Sequence, residues 1–499
     1  MKKNKPTALI ILDGFGYSKK KKYNSIYLAH PKNFNYWLQN FPYAILQASG
    51  KHVGLPKGFI GSSEVGHLTI GTGKIIKDPI TILLEEIDDG NFFKNKILIE
   101  KFNILAKNNH TLHILGLVSD SGVHCHEKII LATIKLAHQC KVKKIYIHAF
   151  LDGRDVPPKS AAKYLSKIDK LCKKIGHGTV GSISGRFHAM DRDRNWDRTK
   201  KTYDMLTNEK KPKFNSWSNA LLFYYNQNIT DEFIPPTLLN KNAIIQDQDG
   251  IIFCNTRADR SRQLTAALLD EDFVNFKTKK IDLSFFITAI SYRPDFKTDI
   301  LISRKIIHHT FLDILQEHHK TIFTIAETEK YAHVTYFFNG GKEVIRPGET
   351  RVLIPSIARE QYIDLPQMSA EKITKAVLQS LNDLPLDFYL INYANADMVA
   401  HSGSLDATIK AIKILDKQLA ILYKKIVEEL GGTIYITGDH GNAEEMFDYT
   451  TNQPKTRHTT NPVYFLMLQK DIEGKNIKLN LHKLKDIMPF ILKNMLVRY

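Results

Sequence analysis

Chemistry-bearing residues fall into two groups along the 499 residues. The first group holds acids, imidazoles and a serine. NADMVAH places Asp397 and His401 at i, i+4, on one face of a helix. TGDHGN carries Asp439 and His440 behind an apolar run, RHTTNP carries His458, and IILDGFG carries Asp13. Carboxylate oxygen together with imidazole nitrogen suits Mn²⁺, Mg²⁺ or Zn²⁺. GSSEVGHLTIGTG (61–73) surrounds Ser62 and Ser63 with small residues. A serine at such a turn can be an exposed nucleophile, and glycines let the backbone approach a phosphate. Each feature also has an ordinary reading. Asp13 alone reads as a turn or cap residue, the Gly/Ser stretch as a turn, and each His as a satisfied core or surface residue. Taken together they fit a two-metal site, where two ions clamp the attacking and leaving oxygens of a phosphoryl transfer. One of the ions would lower the pKa of a serine hydroxyl.

The second group is basic. Eight of the 15 Arg lie between Arg154 and Arg262. LDGRD gives Arg154 and Asp155, SGRFHAMDRDR gives Arg186 and Arg192, NTRADRSR gives Arg257 and Arg260, and SDSGVHCH gives His124 and His126. Guanidinium forks bind phosphate and carboxylate bidentately. An Asp and a His beside them can serve as general acid or base. The plainer alternative is salt-bridged surface arginine, and Arg194, Arg198 and Arg262 are assigned to it. A small anionic ligand therefore accounts for the arginines. The 55 Lys that make up most of the net charge of +18 are scattered, as at Lys19 to Lys22, and read as a solvated surface. Nucleic-acid binding would require base-stacking aromatics interleaved with the basic residues, and no such module is visible.

Strands must position these residues. TALIILDGFG, LHILGLVSDSG (112–122), KIYIHAFLDGRD (144–155), FYLINYANADM (388–398) and GTIYITGDHGN (432–442) share one form, an apolar run that ends in polar residues. Helical patterns such as SAEKITKAVLQSL and ATIKAIKILDKQLAILYKKIVEEL lie between them. That alternation predicts an α/β fold with doubly wound parallel sheets. Ligands collect at the carboxyl ends of such strands. The acidic and His motifs occur at 13–67 and again at 397–458, while the arginine-rich middle differs. Domain insertion explains this: residues 1–78 plus 305–499 make one domain and 79–304 make a second. Cys125, Cys140, Cys172 and Cys254 form no C-x-x-C pair. A reducing compartment is expected. The apolar start is too short for a secretory h-region or a membrane span. A cytoplasmic protein with no membrane partner follows.

LDGFG, ASGKHVGLPKG, GSSEVGHLTIG, SDSGVHCH, HAFLDGRDVPPKSA, SGRFHAMDRDR, IAETEKYAHVTYFFNGG, INYANADMVAH, TGDHGNAEEM and RHTTNPV occur in one order along the chain. Together they resemble the cofactor-independent phosphoglycerate mutase family, within the alkaline phosphatase superfamily. The resemblance implies an alkaline-phosphatase-like metal-binding domain with an inserted α/β transferase domain. It implies interconversion of 3-phosphoglycerate and 2-phosphoglycerate through a phosphoserine, in glycolysis and gluconeogenesis, without bisphosphoglycerate. By matching position, Ser63 is the nucleophile and Asp155 the acid/base. Asp397, His401 and His458 make one metal site, and Asp13, Ser63, Asp439 and His440 the other. His124, Arg154, Asp155, Arg186, Arg192, Arg257, Arg260 and Lys330 bind substrate. Two Mn²⁺, or Mg²⁺ in some members, and a monomer are implied. The alternative is another phosphomutase or phosphomonoesterase of the same superfamily. The chain departs from the family pattern at Phe59, Ile60, Ser62, Lys74, Thr256 and Ala258. Ser62 stands where Asn is usual, beside the nucleophile.

Overall fold

A computed structural model describes residues 5–208, 211–303, 307–450 and 452–497. They fall into two compact units. One comprises Met1–Asp78 and Lys305–Tyr499, the other Pro79–Arg304.

The first unit is built on a seven-stranded sheet. Its order is Glu349–Ile354, Ile322–Glu327, Phe388–Tyr393, Thr7–Leu12, Thr433–Thr437, Val463–Leu468, Tyr43–Leu46. The first five strands run parallel. Val463–Leu468 alone runs against them, antiparallel to both Thr433–Thr437 and Tyr43–Leu46, and interrupts the expected parallel pattern. The run TALIIL is apolar without alternation because both of its faces are covered. Ala8, Ile10 and Leu12 enter one core with Ile412, Leu415 and Leu419 of the helix Leu405–Tyr423. Leu9 and Ile11 enter another core with Ile487 and Ile491 of the helix Ile487–Asn494. The long helical pattern expected to run through Leu430 is α-helical to Tyr423 and continues as a wider π turn, Lys424–Glu429.

The second unit carries its own seven-stranded sheet. Its order is Thr237–Leu238, Thr179–Gly185, Lys144–Leu151, Thr111–Val118, Gly250–Phe253, Phe285–Thr288, Asp299–Ile300. All pairs are parallel except the one made by Thr237–Leu238. One apolar core fills it, with Leu112, Ile114, Ile147 and Ile252 all buried. No helix among the described residues is long and apolar enough to cross a membrane.

Candidate metal and phosphoryl-transfer site

Five parallel strands in the first unit share one direction, so their carboxyl ends open on one edge. Asp13 follows Leu12, Asp397 follows the strand ending at Tyr393, and Asp439 and His440 follow the strand ending at Thr437. Lys330 lies in the helix Thr328–Ala332, which begins where the strand Ile322–Glu327 ends. Ser63 opens the helix Ser63–Thr72. That helix can lie against Asp439 because residue 66 is glycine. A Cβ there would sit 2.5 Å from the Asp439 carbonyl oxygen. Ser62 is the N-cap and makes no capping bond.

The side chains converge. Ser63 Oγ lies 3.0 Å from Asp13 Oδ1, 3.0 Å from His440 Nε2 and 2.8 Å from Lys330 Nζ. Lys330 Nζ donates to Asp13 Oδ1 and Asp397 Oδ2, each at 2.6 Å. Asp13, Asp439 and His440 are inaccessible to solvent, and Ser63, Lys330 and Asp397 are buried. His401, at the outer rim, is exposed.

The residues can be tested for a fit to metal from their own hydrogen bonds. His401 Nδ1 lies 2.7 Å from the Thr456 carbonyl and His458 Nδ1 lies 2.9 Å from the Gly61 carbonyl. A carbonyl oxygen only accepts, so each ring carries a proton on Nδ1 and turns Nε2 inward. The two Nε2 atoms face each other at 3.1 Å. Both also face Asp397 Oδ1, at 3.3 and 3.2 Å. Burial opposes charge on His401, but Asp397 raises its pKa. A divalent cation would replace that proton among two imidazole nitrogens and a carboxylate oxygen. Beside it, His440 Nδ1 is turned to the Gly441 carbonyl, so Nε2 faces Ser63 Oγ, Asp13 Oδ1 at 3.4 Å and Asp439 Oδ2 at 3.5 Å. Among the described residues, Asp439 Oδ2 is buried without a hydrogen-bond donor. Asp397, His440 and His458 make one candidate ligand group and Asp13, Asp439 and His440 a second. The residues therefore fit two divalent cations.

Charge distribution supports that fit. Three carboxylates, Asp13, Asp397 and Asp439, surround the Lys330 ammonium. Burial pushes the Lys330 ammonium toward neutrality, but Asp13, Asp397 and Asp439 outweigh it and raise its pKa. Burial likewise opposes the charge on Asp13 and Asp397, yet Lys330 and the nearby histidines hold both well below the usual carboxylate range. Burial disfavours the charged His440 ring, but Asp439 and Asp13 raise it to about 9. Burial and the adjacent His440 push His458 down to about 4.

Three further residues, not singled out by the sequence, order this cluster. Asn392 Nδ2 donates to Asp13 Oδ2 at 3.0 Å and lies 3.0 Å from His67 Nε2. His67 Nε2 must accept there, so its Nδ1–H donates to the Ser63 carbonyl at 2.8 Å, and Asp439 Oδ2 lies 3.2 Å from the same nitrogen without a hydrogen bond. Asn442 Nδ2 donates to Asp397 Oδ1 at 2.8 Å. His67, Asn392 and Asn442 all lie inside quoted motifs, so proximity to a ligand in sequence is the signal that was available.

The second unit gathers the arginines at the carboxyl ends of its own strands. Arg186 Nη1 donates to Asp152 Oδ1 at 2.7 Å and to Asp155 Oδ2 at 2.5 Å. Asp152, which the sequence reading passed over, also accepts from Ser119 Oγ at 2.7 Å and from the Asp155 backbone N–H at 3.0 Å. Arg192 pairs with Asp259 at 2.9 Å, Arg154 reaches Glu232 at 3.6 Å, and Arg260 donates to the Met190 carbonyl at 3.2 Å. His124 is buried, and burial together with Arg257, Arg186, Arg260 and Arg192 keeps it neutral. Burial and the neighbouring guanidinium groups Arg192 and Arg186 lower Arg260 to about 10. His124, Arg186, Arg192, Arg257 and Arg260 therefore share one positive field suited to an anion. Lys330, expected among the substrate-binding residues, lies in the first unit between the carboxylates.

Glu327 precedes the helix of Lys330. It accepts from Ser356 Oγ at 2.8 Å through Oε2, while Oε1 is buried without a partner among the described residues. Burial raises its pKa from 4.5 to about 7. The folded form therefore holds a proton that the unfolded chain releases above 4.5. Stability should fall as pH rises through that window, by on the order of 3 kcal/mol at completion. Glu327→Gln should remove most of that slope. Urea unfolding at pH 5, 6.5 and 8 measures it, and parallel profiles for the two proteins would refute the assignment.

Residues 83–294 match the family description "BPG-independent PGAM N-terminus". A 2,3-bisphosphoglycerate-independent phosphoglycerate mutase of Legionella pneumophila is 42% identical over 93% of this chain and 91% of its own. One of Clostridium tetani is 42% identical over 99% of this chain and 97% of its own. Among solved structures, a phosphoglycerate mutase of Leishmania mexicana studied at low cobalt concentration superposes with a TM-score of 0.81. It is 26% identical and covers 99% of this chain and 96% of its own. Identity at this level over nearly the whole length shows that the chain belongs to the 2,3-bisphosphoglycerate-independent phosphoglycerate mutases.

Proposed function

We propose that this enzyme interconverts 3-phosphoglycerate and 2-phosphoglycerate through a phosphoserine at Ser63, with two Mn²⁺ or Mg²⁺ as cofactors and no bisphosphoglycerate. The observation that carries the reading is the setting of Ser63 Oγ, within 3.0 Å of Asp13, His440 and Lys330 at the start of a helix. Asp397, His401 and His458 would hold one ion, and Asp13, Ser63, Asp439 and His440 the other. When bound, the ions supply positive charge for the phosphoryl oxygens and favour ionisation of the serine hydroxyl.

The chain's own residues do the rest. Ser63 Oγ attacks phosphorus in line, and the Lys330 ammonium neutralises charge developing on the phosphoryl oxygens. The amino end of the Ser63–Thr72 helix adds favourable dipole there. Arg154, Arg186, Arg192, Arg257, Arg260 and His124 bind the anionic substrate. Asp155 protonates the departing glycerate oxygen and later deprotonates the other hydroxyl, which takes the phosphoryl group back. The unit holding residues 79–304 serves as the substrate-binding transferase domain, and the other as the metal-binding domain. We place the enzyme in the cytoplasm as a monomer.

An enolase-coupled assay without bisphosphoglycerate tests this reading. Turnover should appear with phosphoglycerate, vanish on chelation and return with Mn²⁺. Ribose phosphate, followed by direct product analysis, should not be isomerised. Unchanged activity after thorough metal removal would refute the two-metal reading.

A further inference from the structure

Glu444 lies outside every residue set used so far, yet three ligand-bearing segments meet on its carboxylate. The side chain is 1% exposed. Its Oε2 accepts from the Asn442 backbone N–H at 2.8 Å, in the segment that carries Asp439 and His440. Its Oε1 accepts from Thr459 Oγ1, and from Asn461 Nδ2 at 2.9 Å, in the segment that carries His458. The third segment follows Asp13. A Cβ on Gly16 would lie 2.2 Å from Glu444 Oε2, and one on Gly441 2.5 Å from Oε1. Two glycines thus leave the room that the carboxylate fills. The same segments touch each other: the Thr459 N–H donates to the Gly441 carbonyl at 2.9 Å, and Gly61, two residues before Ser63, donates to the Thr459 carbonyl at 3.3 Å.

We propose that Glu444 is a positioning residue that sets the spacing of the Asp13, Asp439–His440 and His458 segments and thereby the affinity of the cluster for divalent cations. It touches no reacting atom. It acts through Asn442, whose side chain holds Asp397 Oδ1, and through Thr459, the neighbour of His458. A carboxylate is the side chain required, because all three of its partners donate. Glutamine with its N–H toward the Asn442 N–H meets a donor fixed in the backbone. Turned the other way, it needs Thr459 to accept and Asn461 to reverse its amide, which gives up the Asn461 contact with Glu445. Either way the bonds that tie the segments together are lost or rearranged. Outer partners of metal ligands commonly change affinity by about 10–100-fold when replaced. This inference rests on the two-metal reading above.

The test uses the full chain, stripped with chelator and titrated with Mn²⁺ by calorimetry. Glu444→Gln should weaken Mn²⁺ binding at least about 10-fold. At saturating Mn²⁺, kcat should recover to near wild type, which a collapsed site would not allow. If Glu444→Gln fails to fold, Thr459→Val removes one donor and keeps the shape, and it should weaken Mn²⁺ severalfold. Folded variants that bind Mn²⁺ within twofold of wild type would overturn the role of Glu444. Wild type that binds no Mn²⁺ would instead overturn the two-metal reading, so the two failures are distinguishable.

Discussion

Ser63→Ala is expected to abolish mutase turnover while the protein keeps its fold. The loss should be at least about 10⁴-fold, the scale seen when a covalent nucleophile is removed. No neighbouring group replaces it. The oxygens beside it belong to Asp13, which is already engaged by Lys330 and Asn392. The nitrogens close by, His440 Nε2 and Lys330 Nζ, are committed to the same cluster. The cost to stability should be small. Lys330 keeps Asp13 and Asp397, and His440 keeps the Gly441 carbonyl. Loss of one side-chain hydroxyl with its partners otherwise satisfied costs about 1 kcal/mol. The enolase-coupled assay reads the first effect and a denaturant melt the second. Wild-type turnover by a folded Ser63→Ala protein would remove Ser63 from the mechanism.

How much of this was legible in the sequence follows from which features are local. TALIIL, LHILGLV and FYLINY announce themselves as buried strands because both sheet faces are covered, so apolar residues run without alternation. The polar exceptions inside them, His113 and Asn392, are themselves buried. Asp13, Asp397 and Asp439 stand directly behind such strands, where open α/β sheets place ligands. The reversed direction of Val463–Leu468 was not legible. VYFLML is apolar in either direction, and the path that reverses it depends on pairings far apart in sequence, Leu46 with Val463 and Tyr43 with Leu466. Lys330 shows the same limit. Its motif IAETEKYAH places it on a helix, but its partners Asp13 and Asp397 lie 317 and 67 positions away. Only the folded sheet brings the ammonium between them. Asp152 differs, since it stands two residues before Arg154. The run LDGRD offered two acids, and burial decides which one orders the loop.

Lys330→Met should produce the largest structural effect, and the effect should depend on metal. Methionine nearly matches the shape of lysine but leaves Asp13 and Asp397 without their buried countercharge. A buried ion pair adds little over a well-packed apolar pair, because desolvation consumes the Coulomb gain. Removing one partner is different, since an uncompensated buried charge costs about 3–5 kcal/mol. Here two carboxylates lose the same ammonium, so the upper part of that range is expected for the chelated protein. The carboxylates would recover part of it by taking protons, and the destabilisation should therefore shrink as pH falls below about 5. Mn²⁺ bound by Asp13, Asp397 and Asp439 would supply countercharge directly and stabilise by mass action. Urea unfolding of wild type and Lys330→Met, each with chelator and with Mn²⁺, separates these terms. The variant should lie far below wild type in chelator and close to it in Mn²⁺. Activity should stay low in both, by about 10²–10³-fold, because an ammonium aimed at the developing phosphoryl charge is lost. Equal destabilisation with and without Mn²⁺ would mean that Lys330 serves packing alone. Full activity in Mn²⁺ would mean that its charge is countercharge for the carboxylates and takes no part in the transfer.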